Sequence, residues 1–146
     1  MDKRLSGVKP RDCIFRIYKD VRFSKDKSPY KTNFGAYIRP GGRKTHSAGY
    51  YIHIEHGKSM IGTGIYKPEA IELSLIRAHI AANGKDLEKA MQKAEFKKYF
   101  SDLYDDALKK VPRGYDPGHT MGKYLKYKSL IVSNIFQIKK FFPANF

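Results

Sequence analysis

The sequence predicts an α+β fold, with an antiparallel sheet of about five strands and two to three helices packed on one face. Three observations carry this. Alternating apolar and polar residues recur in four short stretches, broken by turn signals, between Cys13 and Tyr66. The apolar period then lengthens from two to 3.6 after Pro68. A β-rich run, SLIVSNIFQI from Ser129 to Ile138, restores the strand pattern near the end of the chain.

Residues 1–12 are polar, contain Gly7 and Pro10, and read as a lead-in loop. From Cys13 to Ser24, Ile17, Val21 and Phe23 fall on one face while Arg16, Tyr18, Asp20, Arg22 and Ser24 fall on the other, the pattern of a half-buried first strand. SKDKSPYKT (24–32) follows as a basic, proline-stiffened loop. Asn33 to Arg39 forms a second strand, closed by Pro40-Gly41-Gly42. Gly49 to Glu55 forms a third, with Tyr50, Ile52 and Ile54 alternating against Tyr51, His53 and Glu55. Ser59 to Tyr66 forms a fourth. Its Gly62 and Gly64 share one face and leave room there for a backbone or a ligand to approach closely.

Pro68 suits a first helical turn, with Glu69 and Glu72 favourably placed at the positive end of the helix. Ile71, Leu75, Ala78 and Ala82 make the expected buried stripe, widened by Ile76 and Ile80, and Asn83-Gly84 ends the helix. Asp86 is placed to cap a second helix over about 87–99, with Leu87, Met91 and Ala94 as its seam. Ser101 is placed to cap a third, over 102–110, closed by Pro112. PRGYDPGHT (112–120) is a rigid loop, a short helix follows to about Lys126, and the run from Ser129 to Ile138 supplies the fifth strand.

The chain has 146 residues, 41% of them apolar and 14% aromatic, enough for one domain with a real core. Its single cysteine, Cys13, excludes an internal disulfide and reads as a small buried hydrophobe. The N-terminal stretch lacks the apolar segment of a secretory signal and no run is long enough to span a membrane, which predicts a cytoplasmic protein. Formal net charge is +15. The excess lies at the ends, with +6 over residues 1–31 and +7 over 109–146, while 59–108 is close to neutral. Such asymmetry points to an anionic partner, with nucleic acid, a phosphorylated ligand or an acidic surface as candidates; the alternative is a solubilising surface.

The residues RIYKDVRFSKDKSPYK (16–31), GYYIHIE (49–55), MIGTGIYKPE (60–69), KKVPRGYDPGH (109–119) and KYKSLIVSNIF (126–136) occur in that order. Together they resemble the domain of unknown function 2461 family of bacterial and fungal proteins, over about residues 12–136. The resemblance implies a single domain over 1–146, with its core in 12–136. It also implies that helical parts typical of the family before the first strand and after the last are missing here. It carries no established activity.

For chemistry, the basic strand and loop come first. Arg16, Arg22, Lys25, Lys27 and Lys31 offer guanidinium forks and ammonium charges for phosphate, with Tyr30 placed to stack. The same residues read equally as an ion-pair ladder in which Asp20 and Asp26 hold the loop in register. A second reading is an enzyme acting on an anionic small molecule, with Asp20, His53 and Glu55 meeting on one polar sheet face for acid–base work. A third is a structural domain with no activity of its own. The five histidines, His46, His53, His56, His79 and His119, have no metal-ligand spacing, and Gly62-Thr63-Gly64 lacks the rest of a nucleotide-binding loop. No GxSxG or Ser-His-Asp pattern is present. The sequence therefore implies neither a metal nor a cofactor.

Overall fold

The computed structural model describes residues 2–104 and 106–137. Three of the four alternating segments and the later β-rich run form strands: β1 (Asn33–Ile38), β2 (Gly49–Glu55), β3 (Met60–Ile65) and β4 (Leu130–Ile135). They make one antiparallel sheet in the order β1-β2-β3-β4. β1 and β2 pair from Asn33↔Glu55 to Ile38↔Tyr50, so Asn33, Gly35 and Tyr37 share a face with Glu55, His53 and Tyr51. The chain divides into two compact units, one holding the described residues up to Thr63 together with those from Asn134, the other Gly64–Ser133.

The expected first strand over Cys13–Ser24 is not a strand. Within it Ile14 forms an isolated bridge with Ala36, and Tyr18 forms another with Tyr30. Short side-chain bonds explain the loss. Asp20 accepts the backbone N–H of Arg22 at 3.3 Å, and Asp26 accepts that of Ser28 at 2.8 Å. Such turns give the backbone a local alternative to a sheet ladder. The apolar side of the alternation is accordingly not buried, with Phe23 96% exposed. What remains of the pairing protects the sheet: Phe15 N donates to Gly35 O and Tyr37 N to Cys13 O, both at 2.9 Å, which closes the outer edge of β1. Cys13 is buried and free, as its composition suggests.

In the second unit the helices are α1 (Ala70–Gln92), α2 (Ala94–Tyr99) and α3 (Gly122–Leu125). Glu69 is the N-cap of α1, and its N–H is received by Glu72 at 3.1 Å. Asn83 adopts non-helical φ −131°, ψ 16°, which breaks α1 into two helical stretches at the expected termination, and Asp86 lies in the second of them. The break comes at Lys93, whose ψ of 138° is extended.

The buried face of α1 also differs from the expected stripe. Ile71 and Leu75 are 78% and 67% exposed, whereas Ile80 and Met91 join the core with Leu103, Tyr124 and Leu125 of α3, and Val132 of β4. Two apolar rows run along this helix, and only packing against α3 and β4 selects Ile76, Ile80, Leu87 and Met91. Arg77 crosses the unit to donate to the carbonyls of Leu125 at 2.9 Å and Tyr127 at 3.2 Å, closing the exit of α3.

The expected helix over 102–110 is absent among the described residues. Tyr104 N donates to Ile131 O, Leu108 N to Lys126 O and Lys128 N to Asp106 O, each at 2.8 Å, so this segment lines the strand edge. Gly64 has φ 127°, and a Cβ there would overlap the Leu130 carbonyl oxygen. The glycine-flattened strand thus admits a neighbouring backbone. Ile138, the last residue of the expected fifth strand, lies outside the described residues. No helix among the described residues is long and apolar enough to cross a membrane.

Candidate functional site

The candidate residues fall into two groups, both within the first unit. The first is the lobe between Arg16 and Lys31. Lys19 N donates to Pro29 O and Lys31 N to Ile17 O, both at 2.9 Å, and the Tyr18 and Tyr30 rings lie 5.5 Å apart. These contacts close the two arms. The Asp20 carboxylate is held as a fork by Arg22, with Nε at 3.0 Å and Nη2 at 2.8 Å, and Arg16 lies 4.0 Å from it. Arg22, the strongest influence, holds the Asp20 carboxyl below the usual carboxylate range. Asp26 is paired with Lys19 and also accepts Ser28 N–H and Oγ–H. Together, with Lys19 foremost, they lower Asp26 to about 2. Lys27 donates to the Val21 carbonyl at 2.9 Å.

The ion-pair ladder expected from the sequence is therefore present, and it engages both carboxylates. Arg16, Lys25, Lys27, Tyr30 and Lys31 remain exposed on the lobe. Lys25 and Lys31 have no acidic partner among the described residues.

The second group lies on the paired face of β1 and β2. His53 Nε2 is 2.9 Å from Glu55 Oε2, and His53 Nδ1 is 3.1 Å from Tyr51 Oη and 3.3 Å from Asn33 Nδ2. Thr32 Oγ donates to the other Glu55 oxygen at 3.1 Å. His53, then Thr32, pulls the Glu55 carboxyl below its ordinary value. Burial pushes the Tyr51 phenol upward. The row exists because β-strand residues two apart face the same way, and because Gly35 stands opposite His53. A Cβ on Gly35 would lie 3.2 Å from Tyr51 Oη and 3.3 Å from Phe15, so the missing side chain gives the phenol its place. The row is held from beneath by Ser59, buried, whose Oγ accepts Glu55 N–H at 3.0 Å and donates to Glu55 O at 2.8 Å.

Of the proposed acid–base set, the structure joins His53 and Glu55 directly and gives Asp20 to the arginines of the lobe. The shared sheet face expected to unite all three required residues 13–24 to be a strand, which they are not. Tyr51 was visible in the alternation of GYYIHIE. Thr32, Asn33 and Gly35 were not, because they enter only through the β1–β2 register. A cavity of about 330 Å³ lies elsewhere, lined by Met91, Phe100, Asp102, Lys123 and Tyr124 among others, and by none of these candidates.

No curated protein and no solved structure matches this chain. The family model described as a conserved hypothetical protein, DUF2461, matches residues 1–146, and the chain therefore belongs to the DUF2461 family.

Proposed function

We propose that the protein binds a phosphate-bearing partner, nucleic acid first, through the lobe of residues 16–31. One observation carries the reading. Both carboxylates of the lobe are closed by Arg22 and Lys19, so its remaining cations face solvent beside the Tyr18 and Tyr30 rings. With Arg22 held by Asp20, Arg16, Lys25, Lys27 and Lys31 then meet phosphate oxygens, and Tyr30 offers a face to a base. The ion pairs and the binding role are compatible, because the pairs set the shape of the arms and the unpaired charges supply attraction. A net charge of +15 strengthens encounter with any polyanion. Nucleic acid is preferred over a phosphorylated small molecule because the cations are spread along an exposed loop.

The test is binding of a fluorescent single-stranded oligonucleotide across a salt series. Three to four phosphate contacts give a log–log slope of about −2 to −3, from about −0.7 per contact on single strands. Replacing Lys25, Lys27 and Lys31 together by glutamine flattens that slope. Binding that is absent at low ionic strength, or insensitive to salt, overturns the reading. Direct binding of a phosphorylated small molecule without any oligonucleotide binding moves it to the small-ligand class.

A further inference from the structure

The row Tyr51–His53–Glu55 has the connectivity of an activated nucleophile, in which a hydroxyl is bonded to a base and the base is bonded to an orienting carboxylate. In the tautomer that donates from Nε2 to Glu55, the Nδ1 lone pair of His53 receives the Tyr51 O–H at 3.1 Å. Asn33 Nδ2 shares that lone pair at 3.3 Å, and Thr32 fixes the far oxygen of Glu55. The side chains of His53 and Glu55 are only 18% and 24% exposed, so solvent competes weakly with these bonds. The two flanks of the phenol are set as well. Phe15 packs edge-on against Tyr51 at 6.3 Å, and Tyr37 packs edge-on against it at 6.5 Å.

We propose that Tyr51 is a nucleophile for an electrophilic phosphoryl centre, with His53 as its general base and Glu55 as the residue that positions the imidazole. Tyr51 Oη forms the bond to phosphorus, the phenolic proton passes to His53 Nδ1, and the bond from phosphorus to its leaving group breaks, the electron pair departing with that group. Glu55 stabilises the imidazolium produced. Because burial raises the phenol above its ordinary value, Tyr51 is protonated at neutral pH and depends on the base. The choice of a phosphoryl centre rests on the anion-binding reading above; the nucleophilic row itself does not.

A neutral fluorophosphonate separates the two, since it needs no cationic lobe. Expected is one phosphonylated residue, Tyr51, located by peptide mass spectrometry, with fluoride released in equal amount. H53Q slows labelling about 100-fold, at the lower end of general-base contributions, and E55Q, which leaves the base unoriented, slows it as well. Labelling spread over exposed tyrosines such as Tyr18, Tyr30 and Tyr66, or equal rates in H53Q and the parent, overturns the proposal. The site of labelling in the unaltered protein stands as a second readout if H53Q fails to fold, and absence of label on Tyr51 also overturns the proposal. Oligonucleotide binding by Y51F is unchanged, so loss of labelling and loss of the anion-binding reading are told apart.

Discussion

His53 Nε2 lies 2.9 Å from Glu55 Oε2, and the two side chains rise from the same face of β2 at a two-residue interval. This pair is one of several that depress a carboxyl in the first unit. Glu55 is lowered by His53 and Thr32, Asp20 by Arg22, and Asp26 to about 2 by Lys19 and Ser28.

A depressed folded value means the contribution is complete above the ordinary carboxyl value and is lost as pH falls through the folded one. The melting temperature is therefore expected to hold from neutral pH down to about the ordinary 4.5 of glutamate and to fall from there, through the ordinary 3.8 of aspartate, to about 2. D26N flattens the part of that fall due to its pair with Lys19. Thermal melts recorded by circular dichroism across pH 2–7 check this; a melting temperature independent of pH contradicts it.

Gly64 is expected to be intolerant of any side chain. G64A combines a φ of 127° with overlap on the Leu130 carbonyl. Strain of about 1–3 kcal/mol adds to overpacking of about 1–3 kcal/mol. Urea unfolding measures the loss, and a change under about 1 kcal/mol refutes the close approach.

The orientation of α1 is testable with paired substitutions. I71Q and L75Q alter residues that are 78% and 67% exposed and should change stability by less than about 0.5 kcal/mol each. I80A removes a side chain that is 5% exposed and should cost about 2–5 kcal/mol. The reverse order of effects restores the expected stripe.

Ser59 is 1% exposed, and its hydroxyl bridges the N–H and C=O of Glu55. S59A leaves that N–H buried without its partner and should cost about 1–3 kcal/mol. Backbone amide exchange at Glu55, followed by NMR, should quicken in the variant. Unchanged protection argues against the bridge.

The strands after residue 32 were legible because their apolar alternation agrees with their turn signals: Pro40-Gly41-Gly42 and Gly57 bound β1, β2 and β3 closely. Residues 13–24 alternate just as well. They were misread because alternation reports which side chains could share a face, not whether a partner strand exists, and Asp20 and Asp26 divert the backbone into turns. The helix α1 was legible in its opening and in its break at Asn83 but not in rotation, since its two apolar rows satisfy the same period. In the candidate site, Tyr51, His53 and Glu55 lie on one strand and their common face follows from spacing alone. Thr32, Asn33 and Gly35 reach them across the sheet, and a one-residue change of register would have removed all three.

By itself, the sequence determined the α+β class, four of the strands, the opening of α1 and the cationic run from Arg16 to Lys31, because each is written in local spacing, turn chemistry and charge. Only the tertiary structure decided that this run is a closed lobe instead of a first strand, with Asp20 bound to Arg22, and that His53 lies between Tyr51 and Glu55. The physical reason is common to both. Local bonds of a few residues form wherever the chain permits, whereas the partners of a side chain depend on register and packing that no single segment contains.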